Sequence, residues 1–61
     1  MTLLLASEIA ENLSPDQYVR LCLKVEKQFG QEFGIVSIEE EGRRSRCVIE
    51  LRDGTQHTVA V

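Results

Sequence analysis

The spacing of apolar residues changes once along the chain, near Gly34. Before this glycine, apolar residues recur every three or four positions, which is the spacing of a helix that buries one face. After it, apolar and polar residues alternate, which is typical of strands with one buried side. The pattern therefore predicts helices in the first half of the chain and a sheet in the second.

The clearest predicted element is a helix from Pro15 to about Phe29. Ser14 can accept a hydrogen bond from a free amide of the first turn, and Pro15 loses no helical hydrogen bond at the first position. Gln17 completes a capping box with Ser14, and Gly30 can adopt the left-handed conformation that ends many helices. The face expected to be buried has apolar residues at helical spacing: Tyr18, Leu21, Cys22, Val25 and Phe29.

The rest of this helix surface is divided between apolar and polar residues. Val19, Leu23 and Glu26 lie on its flanks, so the apolar stripe is wide. The side chains expected to face water are polar: Gln17, Arg20, Lys24, Lys27 and Gln28.

A shorter first helix is predicted from about Leu3 to Asn12. Leu5, Ile9 and Leu13 recur every four residues there, which is a helical spacing. A strand over residues 2–6 is the alternative interpretation of the same segment.

Three strands are predicted after Gly34, over residues 35–41, 46–52 and 55–61. A polar turn over 41–45 joins the first two, and the Asp-Gly pair at 53–54 is a hairpin signal. Because the connections are short, the strands are expected to form an antiparallel meander.

The pairing of the second and third strands depends on the length of the loop between them. A three-residue loop that ends at a left-handed Gly54 sets Cys47 opposite Val59 and Ile49 opposite His57. A two-residue loop would shift the pairing by one residue and move Val59 to the charged face. We therefore predict the longer, bulged loop.

These elements predict a single small α+β domain over residues 1–61. One main helix and a short N-terminal helix are expected to pack on one face of the three-stranded sheet, in two layers. The other face would carry Ile35 and Val48, with Ala60, which is more apolar surface than a lone domain usually exposes. This face and the free strand edges are candidate dimer surfaces.

Composition favours a folded, water-soluble chain. Its 61 residues are 43% apolar and 28% charged, with a net charge of −3, which is unlike a disordered chain. Domains that bind nucleic-acid backbones usually have a positive excess, so the acidic balance disfavours this class. The apolar N-terminal run ends at Ser7 without a basic region before it, so we expect no signal peptide and a cytoplasmic location.

Few residues offer catalytic or metal chemistry. His57 is the only histidine, and the bulged loop turns it toward the core, where a half-buried, hydrogen-bonded histidine is expected. Cys22 and Cys47 are far apart and lie at apolar positions, unlike reactive thiols or the close pairs of zinc sites. The acidic run 39–41 alternates between faces of its strand. We expect no enzyme, metal site, cofactor or disulfide.

Basic residues gather in the predicted hairpin region. Four of the seven lie there, and they could contact a phosphate backbone or an acidic protein face. Glutamates in the same hairpin make cross-strand ion pairs the preferred interpretation. The candidate binding residues are Arg43, Arg44, Arg46 and Arg52.

The segment SEIAENLS (7–14), followed by a helix, resembles the helix-turn-helix of winged-helix regulators. The resemblance covers residues 7–29, and a hairpin follows in the place of the wing. It implies DNA binding through the second helix. The chain departs from the family pattern at Ser14, where glycine is usual, and at Arg20, where the family has an apolar residue. The second helix is also not strongly basic.

The sequence favours a small non-enzymatic protein-interaction module, as a homodimer or as part of a larger complex. The alternative is a nucleic-acid-associated regulator that uses the helix-turn-helix-like segment 7–29 and the arginine-rich hairpin.

Overall fold

The computed structural model describes residues 3–61 and has the predicted α+β fold. Its three strands form one antiparallel sheet in the order β1-β2-β3. The elements are α1 (Ala6–Asn12), α2 (Pro15–Gln28), β1 (Phe33–Glu41), β2 (Arg44–Leu51) and β3 (Gln56–Ala60).

The ends of α2 confirm the predicted capping signals. Ser14 Oγ accepts a hydrogen bond from the amide of Gln17 at 3.2 Å, and Gln17 Oε1 accepts one from the amide of Ser14 at 3.0 Å. At the other end, Gly30 has a φ of 62° and donates its amide to Glu26 O at 3.0 Å. These contacts satisfy backbone groups that a helix leaves unpaired.

The first helix begins at Ala6, so its predicted start at Leu3 is wrong. Leu4 instead donates its amide to Ile35 O at 2.8 Å, at the edge of β1. Gly34 makes room for this segment, since a Cβ there would overlap Leu3 Cδ1. The hydrogen bond lies within the alternative strand predicted over 2–6. Residue 2 is outside the described range, and residues 3–5 form no regular ladder with β1.

The pairing of β2 with β3 confirms the predicted bulged loop. Cys47 lies opposite Val59, and Ile49 lies opposite His57. The loop closes with a 2.8 Å hydrogen bond from Leu51 N to Thr55 O, and Gly54 has a φ of 89°. The buried residues of both strands therefore share one face, as the burial argument required.

The turn between β1 and β2 is shorter than predicted. Only Gly42 and Arg43 separate the strands, and Gly42 has a φ of 62°, which a two-residue hairpin turn requires. As a result Arg44 pairs with Glu41 as a strand residue.

An irregularity in β1 overturns the predicted position of Ile35. Ile35 lies opposite Ile49 and Ser37 lies opposite Val48, so Val36 is an extra residue in the ladder. Because this bulge shifts the alternation by one, Ile35 and Ile38 both reach the core side. Ile35 is only 2% exposed and does not lie on the outer face.

One hydrophobic core joins the helices with all three strands. Leu21 and Val25 of α2 are fully buried, and Ile9, Phe29 and other half-buried residues pack against the core. The two-layer arrangement of helices on the sheet stays a prediction. The buried apolar residues are Leu13, Leu21, Val25, Ile35, Cys47, Ile49, Leu51, Val59 and Val61.

Candidate functional site

The four candidate arginines do not form one cluster. Arg43 lies in the β1–β2 turn, and Arg44 and Arg46 lie on the exposed side of β2. Arg52 follows the other end of β2. The two ends of this strand are about 24 Å apart, given the rise per residue of a β-strand. The sequence grouped Arg52 with the others because it is near them along the chain, but the strand separates them in space.

Arg46 is paired with an acidic residue, as the cross-strand interpretation predicted. Its Nε lies 2.9 Å from Glu41 Oε2, and both side chains are more than half exposed. Exposed ion pairs of this kind contribute about 0–1 kcal/mol. The pair neutralises part of the positive charge on this side of β2.

Three cations from distant parts of the chain line one open cleft where β3 ends. Arg20 and Lys24 come from α2 and Arg44 from the start of β2, with Ala60 and Val61 beside them. Lys24 Nζ donates a 2.6 Å hydrogen bond to Ala60 O, which fixes its ammonium group at the strand. We call this group the basic cleft. Guanidinium and ammonium groups at one place favour anionic groups such as phosphate or carboxylate.

The outer side of α2 is apolar although it faces solvent. Val19 is 56% exposed and Leu23 is 66% exposed, and both lie opposite the buried Leu21 and Val25 on the helix. Tyr18, which is 41% exposed, lies on the other side, three residues before Leu21 and seven before Val25. We call Val19 and Leu23 the outer side of α2. The sequence placed Val19 and Leu23 on the flanks and Tyr18 on the buried face, so the extent of the exposed surface was underestimated.

A shallow apolar groove of about 300 Å³ lies between α1 and α2, and Tyr18 is one of its lining residues. Tyr18 also lies beside Cys22, whose charge is the main factor that raises the pKa of the Tyr18 hydroxyl. The groove is lined by Ala6, Ile9, Ala10, Leu13, Ser14, Pro15 and Tyr18.

The outer face of the sheet is largely polar, which corrects the apolar second face expected from the sequence. The bulge removes Ile35 from it, so Val48, which is half-buried, and the small Ala60 are its apolar residues along β2 and β3. Polar residues surround them: Glu39, Glu41, Arg44, Arg46, Gln56 and Thr58.

The two thiols are free and lie in different surroundings. Cys47 is fully buried, and burial raises the pKa of its thiol, while Cys22 is partly exposed. Raised thiol pKa values disfavour the reactive thiolate. Among residues 3–61, no three His, Cys, Asp or Glu side chains lie close enough to hold a metal ion together.

His57 is half-buried and has structural contacts, as predicted. Its ring lies 4.4 Å from that of Phe29, and its Nε2 lies 3.2 Å from Thr55 Oγ1. Thr55 Oγ1 in turn donates a 2.6 Å hydrogen bond to Asp53 Oδ1, which also accepts the Thr55 amide. These hydrogen bonds lower the pKa of Asp53. The proton of the threonine points to the carboxylate, and these hydrogen bonds close the loop.

The segment 7–29 forms two helices joined by Leu13 and Ser14, and a hairpin follows it. A recognition helix presents polar side chains to base edges, whereas the outer side of α2 presents valine and leucine. No helix within residues 3–61 has the length and apolar character needed to cross a membrane. Set against models of known protein families, curated proteins and solved structures, the chain matches none of them.

Proposed function

We propose that this protein is a small, non-enzymatic protein-interaction module that binds its partner through the outer side of α2. The observation that carries the proposal is the exposure of Val19 and Leu23, on the side of the helix opposite its core contacts. A cytoplasmic location is part of the same proposal.

Leaving the outer side of α2 in water has an energetic cost. Full burial of a valine or leucine side chain contributes about 1.5–3 kcal/mol, and more than half of each side chain is still exposed here. A single exposed apolar residue is normal on a protein surface. Val19 and Leu23 are neighbours, four residues apart on one side of the helix, and adjacent exposed apolar side chains are typical of interaction sites.

The distribution of chemical groups supports binding over catalysis. The most deeply buried thiol, Cys47, has a raised pKa, and His57 is held by Phe29 and Thr55. A general base needs a substrate proton or a nucleophile within hydrogen-bond reach. Two hydroxyls line the apolar groove: that of Ser14 caps α2, and that of Tyr18 has a raised pKa, which disfavours its basic phenolate form.

The test compares partner capture by two variants of α2. Val19→Ser/Leu23→Ser makes the outer side polar, and Gln28→Ser changes one exposed residue elsewhere on the same helix. Each protein is expressed in its native cells and purified with nuclease treatment, and co-purifying proteins, including untagged copies of the chain, are quantified by mass spectrometry.

We expect the first variant to lose its partner at least tenfold and the control to retain it. Circular dichroism of both variants checks that α2 is intact. Equal capture by the wild type and Val19→Ser/Leu23→Ser would contradict the proposal.

A nucleic-acid-associated regulator is the second candidate, and the convergence of Arg20, Lys24 and Arg44 favours it. Three phosphate contacts predict that log K falls with log salt at a slope of about −2.7. Mobility shifts with duplex DNA and with single-stranded RNA, in about 20–200 mM salt, measure this slope. Arg20→Gln/Arg44→Gln should reduce the steepness of this slope by the contribution of about two phosphate contacts. Absence of any mobility shift at low salt would rule out this candidate.

A further inference from the structure

We infer that the partner on the outer side of α2 is a second copy of this chain, bound with its own α2 antiparallel to the first. This inference rests on the proposed function, because it names the occupant of the same surface. The apolar pattern and the charge pattern of α2 lead to it independently.

The apolar pattern fits a twofold interface. In such an interface, residue i contacts residue j of the copy while j contacts i. Val19 and Leu23 are four residues apart and lie next to each other on the outer side. An antiparallel pair with its axis at the level of Leu21 therefore places each Val19 against the copy's Leu23, on both sides of the axis.

The charge pattern selects the same register. Asp16 and Lys27 are eleven residues apart, close to three helical turns, so they lie along the same flank of α2. Both are exposed. Their midpoint differs from that of Val19 and Leu23 by half a residue. An antiparallel pair with its axis near Leu21 thus brings each Asp16 carboxylate beside the copy's Lys27 ammonium group, at both ends of the interface.

Other pairings of two α2 helices do not satisfy the apolar and the charged contacts together. A parallel pair sets Asp16 against Asp16 and Lys27 against Lys27, which is repulsive. An antiparallel axis at Val19 moves Leu23 next to the copy's Pro15. An axis at Leu23 moves Asp16 opposite Gly30, beyond the end of the helix.

The size of the surface predicts a weak dimer. A standard interface buries about 800 Å² on each partner, roughly a fifth of the 4460 Å² that this chain exposes. A 14-residue helix is only about 21 Å long, so contacts along α2 alone fall below that standard size. We therefore expect a dissociation constant on the order of micromolar. The average molecular mass in solution should then rise with protein concentration.

The register is tested by disulfide cross-linking. Two chains are prepared, Val19→Cys/Cys22→Ser and Leu23→Cys/Cys22→Ser, and Cys47 stays buried in both. They are mixed and oxidised under mild conditions. Because a disulfide needs Cα atoms within about 7 Å, the mixed product, which links one variant to the other, should exceed either self-linked product several-fold. Equal or greater self-linking would overturn the register.

The charge pairing is tested by two single reversals, Asp16→Lys and Lys27→Asp. Each variant alone places like charges at both ends of the interface, so its dimer dissociation constant should rise roughly tenfold. An equimolar mixture restores opposite charges at both ends, so mixed dimers should form with near wild-type affinity. Failure of the mixture to recover dimer would overturn the pairing.

These outcomes separate the inference from the proposed function. A wild-type chain that is monomeric, but loses a different protein partner on Val19→Ser/Leu23→Ser, overturns the second copy as occupant and leaves the interaction surface supported. A chain whose partners are unaffected by that variant overturns both.

Discussion

The outer side of α2 and the outer face of the sheet both meet solvent, but they are built from opposite kinds of residue. The sheet face carries the Arg46–Glu41 ion pair and polar neighbours around Val48. The helix presents Val19 and Leu23, each more than half exposed. The outer face of the sheet is thus polar, as expected of a surface that stays in water, whereas the outer side of α2 is not.

The comparison also changes where a partner is expected. The sequence suggested the second sheet face, because Ile35 and Val48 were expected there together. Once Ile35 is buried, the apolar residues of that face along β2 and β3 are the half-buried Val48 and the small Ala60, whereas Val19 and Leu23 on α2 are each more than half exposed. Contact with another protein is therefore expected on the helical side of the molecule.

The largest expected effect contrasts the two sides of α2 itself. Leu21→Ala should lower the free energy of unfolding by about 2–5 kcal/mol, because it leaves a cavity in the core. Leu23→Ala should change it by less than about 0.5 kcal/mol in dilute solution, where the chain is monomeric. Urea unfolding at low protein concentration measures both. Similar losses would contradict the assignment of Leu23 to the solvent side.

A smaller effect is expected at the basic cleft. Lys24→Met removes the hydrogen bond to Ala60 O and should cost about 1 kcal/mol of unfolding free energy. Lys27→Met, three residues away on an exposed position, is the matched control and should cost close to zero in the monomer. Thermal unfolding of the two variants distinguishes them, and equal stability would show that the Lys24 contact contributes nothing.

The outer face of the sheet should tolerate loss of its ion pair. Arg46→Gln removes the contact with Glu41 and should lower the unfolding free energy by no more than about 1 kcal/mol. The difference from the wild type should shrink further in about 1 M salt, because exposed charges are screened. A larger or salt-independent loss would mean that Arg46 contributes through packing.

The smallest effect concerns acid stability at the β2–β3 loop. Hydrogen bonds from the Thr55 hydroxyl and amide lower the pKa of Asp53 in the folded chain. A lowered pKa stabilises the fold above the unfolded value, about 3.9, and this contribution disappears as pH falls through the folded value. The stability advantage of the wild type over Asp53→Asn should therefore narrow below about pH 4. Thermal melts from about pH 2.5 to 7 test this, and an advantage that grows in acid would be contrary to it.

Local signals explain what could be predicted from the sequence. The caps of α2 depend on Ser14, Gln17 and Gly30, which act within a few residues of the helix ends. The pairing of β2 with β3 followed from alternation in two short strands and the need to bury Val59 with Cys47. Both depend on residues that are close along the chain or on one shared face.

The bulge in β1 was missed although a signal for it exists. Ile35 and Ile38 are three residues apart, so a regular strand cannot turn both toward the core. An extra residue between them resolves the conflict, and Val36 takes that place. The basic cleft had no such signal, because Arg20 and Arg44 meet only through the packing of α2 beside the sheet.

The most direct test of the central claim is sedimentation equilibrium of the wild type and Val19→Ser/Leu23→Ser over micromolar to millimolar concentrations. The account predicts that the wild-type mass rises from one chain toward two, while the variant stays at one chain with its helices intact. Identical masses for the two proteins at every concentration would contradict it.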